Sequence, residues 1–148
     1  MTRSRIPKTR SRRGAALVEM ALVLPIFVTV VLGIIEFGRA MMVGQLVTNS
    51  AREGARLAVL DGSSNGEVRS FIQDFLKDSL NVAVADVTVD ITITPAPGND
   101  TTGSEVANAQ ARDLVTVRVE VPFEKVQFIP GNYLGSKKLI GQSAMRHE

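Results

Sequence analysis

The longest hydrophobic stretch of the chain lies near its beginning. Residues 15–35 are 21 positions in which Glu19 is the single charged residue. At about 1.5 Å per residue, a helix of this length spans roughly 32 Å, close to the hydrocarbon thickness of a bilayer. Few soluble domains of this size have enough other mass to bury such a helix. The pattern therefore predicts a transmembrane helix over 15–35.

Helical spacing continues past the apolar run, which predicts one long helix over 15–60. A stripe of mostly small side chains recurs every three or four positions and favours packing against the rest of the same chain over packing against another subunit. Its members are Val43, Val47, Ser50, Ala51, Gly54, Ala55 and Ala58. Asp61-Gly62 is a plausible end for this helix.

A second, shorter helix is predicted after Ser64-Asn65-Gly66-Glu67, which has the spacing of a capping box. Apolar residues then recur at positions i, i+3, i+4, i+7 and i+8. They are Val68, Phe71, Ile72, Phe75 and Leu76. The two aromatic residues among them are expected to lie in the core.

The remainder of the chain has the period-two alternation of half-buried strands. Residues 87–94 and 115–121 alternate Val or Ile with polar residues, and 139–145 repeat the pattern more weakly. Pro122, Pro130 and Gly131 interrupt the stretch before the third strand. The predicted fold class is α+β: a basic leader over 1–14, the long helix over 15–60, and a head over 61–148 that adds one helix and a short antiparallel sheet.

Charge is distributed unevenly along the chain. Six basic residues and no acid precede Ala15, so residues 15–148 keep 11 of the 17 basic residues against all 15 acids, a net charge of −4. Positive flanks stay on the cytoplasmic side, which predicts a cytoplasmic N-terminus and a head outside the membrane. The basic pI belongs to the leader and is therefore poor support for nucleic-acid binding. A peripheral nucleic-acid or anionic-lipid binder that uses the leader remains an alternative.

Two residues within the run need an explanation. Pro25 removes one helical hydrogen bond, so a kink or local melting is expected there. Glu19 is costly in hydrocarbon unless it snorkels, is neutral or finds a cation. A cleaved secretory signal is an alternative for the whole segment, since Gly38-Arg39-Ala40 loosely fits its cleavage rule.

Catalytic chemistry has little support in this chain. It has no cysteine, and its one histidine, His147, is next to last, where a frayed residue is expected. No phosphate-binding loop, metal cluster or nucleophile–base pair is recognisable. We therefore expect no enzyme, no cofactor and no small-molecule substrate. Asn99 and Asp100, in a polar loop over 95–112, match no calcium-loop spacing.

The junction between the leader and the apolar run carries a processing motif. It reads Arg-Arg-Gly-Ala-Ala-Leu-Val-Glu over residues 12–19, with the acid at the fifth position after Gly14. This resembles the cleavage site of type IV prepilins, which implies cutting by prepilin peptidase between Gly14 and Ala15. The new amino group of Ala15 is positive at neutral pH, and Glu19 of a neighbouring subunit is implied as its counter-charge.

Two further phrases lie downstream, Glu36-Phe37-Gly38-Arg39 and Ala51-Arg52-Glu53-Gly54-Ala55-Arg56. Together with the processing motif, they resemble the TadE-like family of minor pilins and pseudopilins from tight-adherence (Flp) pilus systems. The resemblance covers roughly residues 12–58; Met20 departs from it, since an aromatic residue often follows the glutamate. The pairs Glu36/Arg39 and Glu53/Arg56 have i,i+3 spacing and are expected on exposed faces.

The resemblance implies a pilin-like fold and a role in pilus assembly or adhesion. The implied partners are the lipid bilayer, prepilin peptidase, other pilin or pseudopilin subunits and the tight-adherence secretion machinery, with no nucleic acid. The implied location is the bacterial inner membrane, crossed once, or an extracellular pilus. The alternative is an uncleaved, signal-anchored envelope scaffold or secretion-platform component.

Overall fold

The computed structural model describes residues 10–128 and 137–148, and the side chains of all of these except 10–13. Most of the basic leader and the break at Pro130-Gly131 lie outside the described residues. The chain divides into two compact units, Met1–Ile35 and Glu36–Glu148.

The long predicted helix is present and is named α1, Arg10–Ala58. It begins five residues before Ala15, because arginine is a good helix former and Gly14 alone does not stop a helix. It ends two residues before position 60, and Gly62 follows in the left-handed region with φ 83°. Within the first unit, the described residues are helical throughout.

The second helix, α2, spans Asn65–Leu80 and begins with the predicted capping box. The Ser64 hydroxyl accepts a hydrogen bond from the Glu67 amide, and the Glu67 carboxylate accepts one from the Ser64 amide. Its buried side consists of Asn65, Val68, Ile72, Leu76 and Leu80.

The expectation that the aromatic residues of α2 are core residues is wrong. Phe71 is 43% exposed and Phe75 is 38% exposed. Val68, Ile72 and Leu76, spaced i, i+4 and i+8, already fill the core beneath α2. The core therefore does not need the neighbouring side chains of Phe71 and Phe75. The two rings instead line a shallow cleft beside Ser50 and Glu53 of α1.

Three strands form the predicted antiparallel sheet, in the order β1 (Thr88–Thr94), β2 (Leu114–Pro122) and β3 (Lys138–Arg146). Ile91 lies opposite Val117 of β2, and Val117 lies opposite Ser143 of β3. The alternation predicted for β1 and β2 is confirmed, since their inward-facing Val and Ile residues are all less than 9% exposed.

The core of the second unit lies between this sheet and the two helices. The stripe of small residues on α1 is buried, with Val43, Val47, Ala51, Ala55 and Ala58 all at 0% exposure. The predicted packing within the chain is therefore confirmed. His147 is not frayed, because it is 9% exposed and its amide donates to the Asp113 carbonyl at 2.9 Å.

Candidate functional site

The segment that carries the processing motif presents its side chains outward on every side. All residues from Gly14 to Val30 are exposed, and α1 contains a window apolar and long enough to cross a membrane, none of which is buried. Burying a side chain such as Leu17, which is 72% exposed, is worth about 1.5–3 kcal/mol. A helix with this surface needs a nonaqueous surrounding.

The processing residues lie within α1. The Gly14–Ala15 bond falls in the second turn of the helix. Apart from its chain neighbours and the adjacent helix backbone, no described heavy atom lies within 4 Å of the position a Cβ on Gly14 would take. Ala15 and Glu19 are separated by four positions, so they lie on the same face of the helix. Glu19 is exposed, so its carboxylate is open to a partner on that face.

The local melting expected at Pro25 does not occur, since α1 is continuous through it. Proline has no N–H, so the Ala21 carbonyl lacks its usual helical donor. The Thr29 hydroxyl donates to the Pro25 carbonyl at 2.8 Å, a contact that satisfies this hydroxyl inside an apolar segment. A kink at Pro25 stays a prediction.

The motif Glu36-Phe37-Gly38-Arg39 lies at the start of the second unit. The expectation of an exposed Glu36/Arg39 pair is wrong, because Glu36 is only 2% exposed. Arg39 is half-buried, and its Nε donates to the Val126 carbonyl at 3.1 Å. The contact of Arg39 with Val126 is a tertiary one, which i,i+3 spacing does not report. Phe37 is 60% exposed, and the space around Gly38 is open.

The motif Ala51–Arg56 has a buried side and an exposed side. Ala51, Gly54 and Ala55 are buried, whereas Arg52, Glu53 and Arg56 are exposed. Glu53 and Arg56 form the predicted surface ion pair, at 3.7 Å.

Gly54 explains why the buried side of this motif needs small residues. A Cβ at this position would lie 2.4 Å from Ile72 Cδ1 of α2 and 3.7 Å from Val117 Cγ1 of β2. Two elements therefore approach α1 at the same point. This part of the motif holds the head together.

Gly141 is a residue whose role the sequence reasoning missed. A Cβ there would lie 2.6 Å from the Val47 carbonyl carbon and oxygen, so β3 approaches the backbone of α1 closely. An isolated glycine within a strand pattern is a signal of such an approach.

Asp113 is the second residue that was missed. It is 0% exposed, and its carboxylate accepts hydrogen bonds from the amides of Ala96 and Gln110, at 2.8 and 2.9 Å. Further donors are the Asn99 side chain at 2.6 Å and the Thr101 hydroxyl. Burial raises the pKa of Asp113, but these hydrogen bonds outweigh it and hold the pKa well below its usual range.

The network around Asp113 organises the 95–112 loop. Asn99, considered above for calcium, donates its amide to Asp113 and to the Ala111 carbonyl at 2.9 Å. Within residues 10–128 and 137–148, no group of three or more His, Cys, Asp or Glu is placed to hold a metal ion. The contacts seen in this loop are those of a folded, internally bonded segment.

These features define an α+β protein that has, among its described residues, one apolar helix suited to cross a membrane, near the N-terminus. The family model described as TadE-like protein matches residues 14–56, the segment that contains all three motifs from Gly14 onward. The resemblance to the TadE-like family is thereby confirmed over these residues. No curated protein and no solved structure is significantly similar to the chain.

Proposed function

We propose that this chain is a minor pilin or pseudopilin that takes part in assembly of a tight-adherence, type IV-like pilus. The observation that carries the proposal is the TadE-like match, which begins at Gly14, directly before the apolar run of α1. The role is structural. The chain supplies a membrane helix and a folded head to an assembly, with the leader in the cytoplasm and the head outside the inner membrane.

Maturation by prepilin peptidase is the first step of this function. The enzyme cuts between Gly14 and Ala15, which removes the basic leader. A peptide bond must leave the helix to enter a protease, and Gly14 lowers that cost by about 1 kcal/mol relative to alanine. The bond also lies near the start of α1, where few turns must unwind.

Glu19 then acts as the counter-charge during assembly. Cutting creates an ammonium group at Ala15, and each charge alone is costly among apolar helices. Pairing the ammonium group with Glu19 of a neighbouring subunit lowers this cost and penalises a wrong register. The Ala15 ammonium group and the Glu19 carboxylate lie on one face of the helix, so a single neighbouring helix can contact either group.

The decisive experiment is the intact mass and N-terminal sequence of the membrane-extracted chain, produced with and without a prepilin peptidase. We expect a chain that starts at Ala15 only when the peptidase is present. Gly14→Leu should abolish the cut, whereas Gly33→Leu, at another open glycine of the helix, should be cut normally.

Two other results would replace this proposal. A chain that keeps its leader in the presence of the peptidase would identify an uncleaved, signal-anchored scaffold or secretion-platform component. A chain that starts at Met41 would identify an ordinary secreted protein.

For Glu19, we expect the Glu19→Gln variant to be cut normally but to enter pili poorly. Normal incorporation of this variant would contradict the counter-charge role.

A further inference from the structure

We propose that one end of the head rests in the phospholipid headgroup layer of the bilayer that α1 crosses. The surface consists of residues 123–128 and 137–138, and we call it the basal rim. The proposal rests on the membrane span of the proposed function. It adds a second contact with the lipid, made by residues far from the span in sequence.

The basal rim is held at the beginning of the part of α1 that belongs to the head. Arg39 donates to the Val126 carbonyl at 3.1 Å, which ties the 123–128 segment to the helix. The Phe123 amide donates to the Lys137 carbonyl at 2.8 Å, which joins the two halves of the rim. Phe123 and Val126 are 2% and 3% exposed, so the rim is anchored in the core.

Helix geometry places this tether at the depth of the headgroups. The apolar run ends at Ile35, and Arg39 comes four residues later on the same continuous helix. At 1.5 Å per residue, that is about 6 Å beyond the hydrocarbon. The headgroup layer on each side of a bilayer is about 5–8 Å thick. The backbone of Arg39, whose side chain binds the Val126 carbonyl, is therefore expected at the depth of that layer.

The exposed side chains of the basal rim suit this environment. Phe128 is 76% exposed, although the neighbouring apolar residues of its segment are buried. Lys125 and Lys137 are also exposed. An aromatic ring beside ammonium groups matches the boundary between hydrocarbon and phosphate, where rings bury apolar area and lysines donate to phosphate oxygens.

The charges of the rim indicate phosphate contacts and not attraction by a large net charge. Lys125 pairs with Asp86 at 3.1 Å, and Lys138 pairs with Glu120 at 2.9 Å. Glu124 is exposed beside them. A rim with so little excess charge does not need anionic lipids, so the occupant we assign is the headgroup layer of an ordinary phosphatidylcholine bilayer.

The chain has no tryptophan, so single tryptophans report its depth without background. We would place the full-length protein in phosphatidylcholine nanodiscs that contain lipids with a nitroxide on the headgroup. Phe128→Trp is the test variant, and Phe37→Trp, two residues past the apolar run, is the positive control. Phe71→Trp is the negative control, because Phe71 shares a cleft with Leu57 and Leu60 at the far end of α1.

We expect the nitroxide lipids to quench more than half of the emission of Trp variants at positions 128 and 37, and less than a tenth at position 71. Quenching at position 37 without quenching at position 128 would overturn the basal-rim proposal and leave the membrane span standing. The absence of quenching at both positions would overturn the span as well. Normal cleavage at Gly14 reports separately on the proposed pilin function.

Discussion

The two parts of α1 contain similar residues but have opposite surroundings. Val23, in the first unit, is 54% exposed, whereas Val47, in the second, is 0% exposed. Before position 36, apolar residues occupy every face of the helix. After it, the buried residues form one stripe, and charged residues such as Arg52 and Glu53 occupy the opposite face.

This difference shows that the arrangement of apolar residues matters more than their number. A helix that is apolar all round requires lipid or other helices on every side, and the first unit offers neither among its described residues. A one-sided stripe of small residues requires a single protein surface, which α2 and β2 provide at Gly54. We expect changes in the first unit to affect processing and assembly, and changes in the second to affect folding.

The largest loss of stability is expected from Asp113→Ala in the head. The substitution leaves the amides of Ala96 and Gln110 and the Thr101 hydroxyl without their acceptor. The Asn99 side chain loses one of its two acceptors. Buried donors without an acceptor are expensive. We expect the lowest melting temperature of all the variants considered, measured by circular dichroism in detergent, while the exposed Asp100→Ala should melt like the parent.

Acid should remove the same stabilisation from the parent protein. The pKa of Asp113 is lowered in the folded state, so its contribution is complete above the unfolded pKa of about 4 and declines as the pH falls below it. The pKa of Glu120 is also lowered, chiefly by hydrogen bonds from Lys138 and Arg118, and adds to this trend. The melting temperature of Asp113→Asn should therefore fall less steeply below pH 4; an equal slope would contradict the assignment.

Gly141→Ala is expected to have the next largest effect. Its Cβ would meet the backbone of Val47, which cannot move aside as a flexible side chain can. Overpacking of this kind costs about 1–3 kcal/mol. Gly38→Ala is the matched control, because its surroundings are open and alanine is the better helix former. Chemical denaturation measures both, and equal stabilities would show that β3 does not approach α1 as described.

Two valine substitutions on the same helix test the comparison most directly. Val47→Ala should destabilise the head by about 2 kcal/mol, since it removes buried methyl groups and leaves a cavity. Val23→Ala should change the unfolding free energy of the head by less than about 0.5 kcal/mol. If both variants destabilised the head equally, the two parts of α1 would not differ in the way proposed.

Local periodicity was sufficient to predict most of the secondary structure. The apolar run, the Ser64 capping box and the alternating strands each depend on neighbours a few positions away, and all were correctly predicted. The exposure of Glu36 and Phe71 was predicted wrongly because burial depends on tertiary packing, which local spacing does not report: Glu36 is 2% exposed and Phe71 is 43% exposed. No spacing rule indicated Asp113, since its donors are spread from Ala96 to Gln110 in an irregular loop.

Arg56→Gln is expected to have only a small effect on folding. Arg56 is an exposed residue of the Ala51–Arg56 motif, and its pair with Glu53 is long, at 3.7 Å, and open to solvent. Surface pairs of this kind contribute less than about 1 kcal/mol. A larger drop in the denaturation midpoint would show that the motif stabilises the head through its charged side as well.

The same variant separates the two roles of the motif. Folding already explains its buried residues, through the close approach at Gly54, but it does not explain its charged ones. We therefore expect Arg56→Gln to fold and to be cut normally yet to enter pili less efficiently than the parent, measured as the ratio of pilus-bound to membrane-bound protein. Gln45→Ala, on the same exposed side of α1 but outside the motifs, is the control. An unchanged ratio would mean that only the buried side of the motif is required.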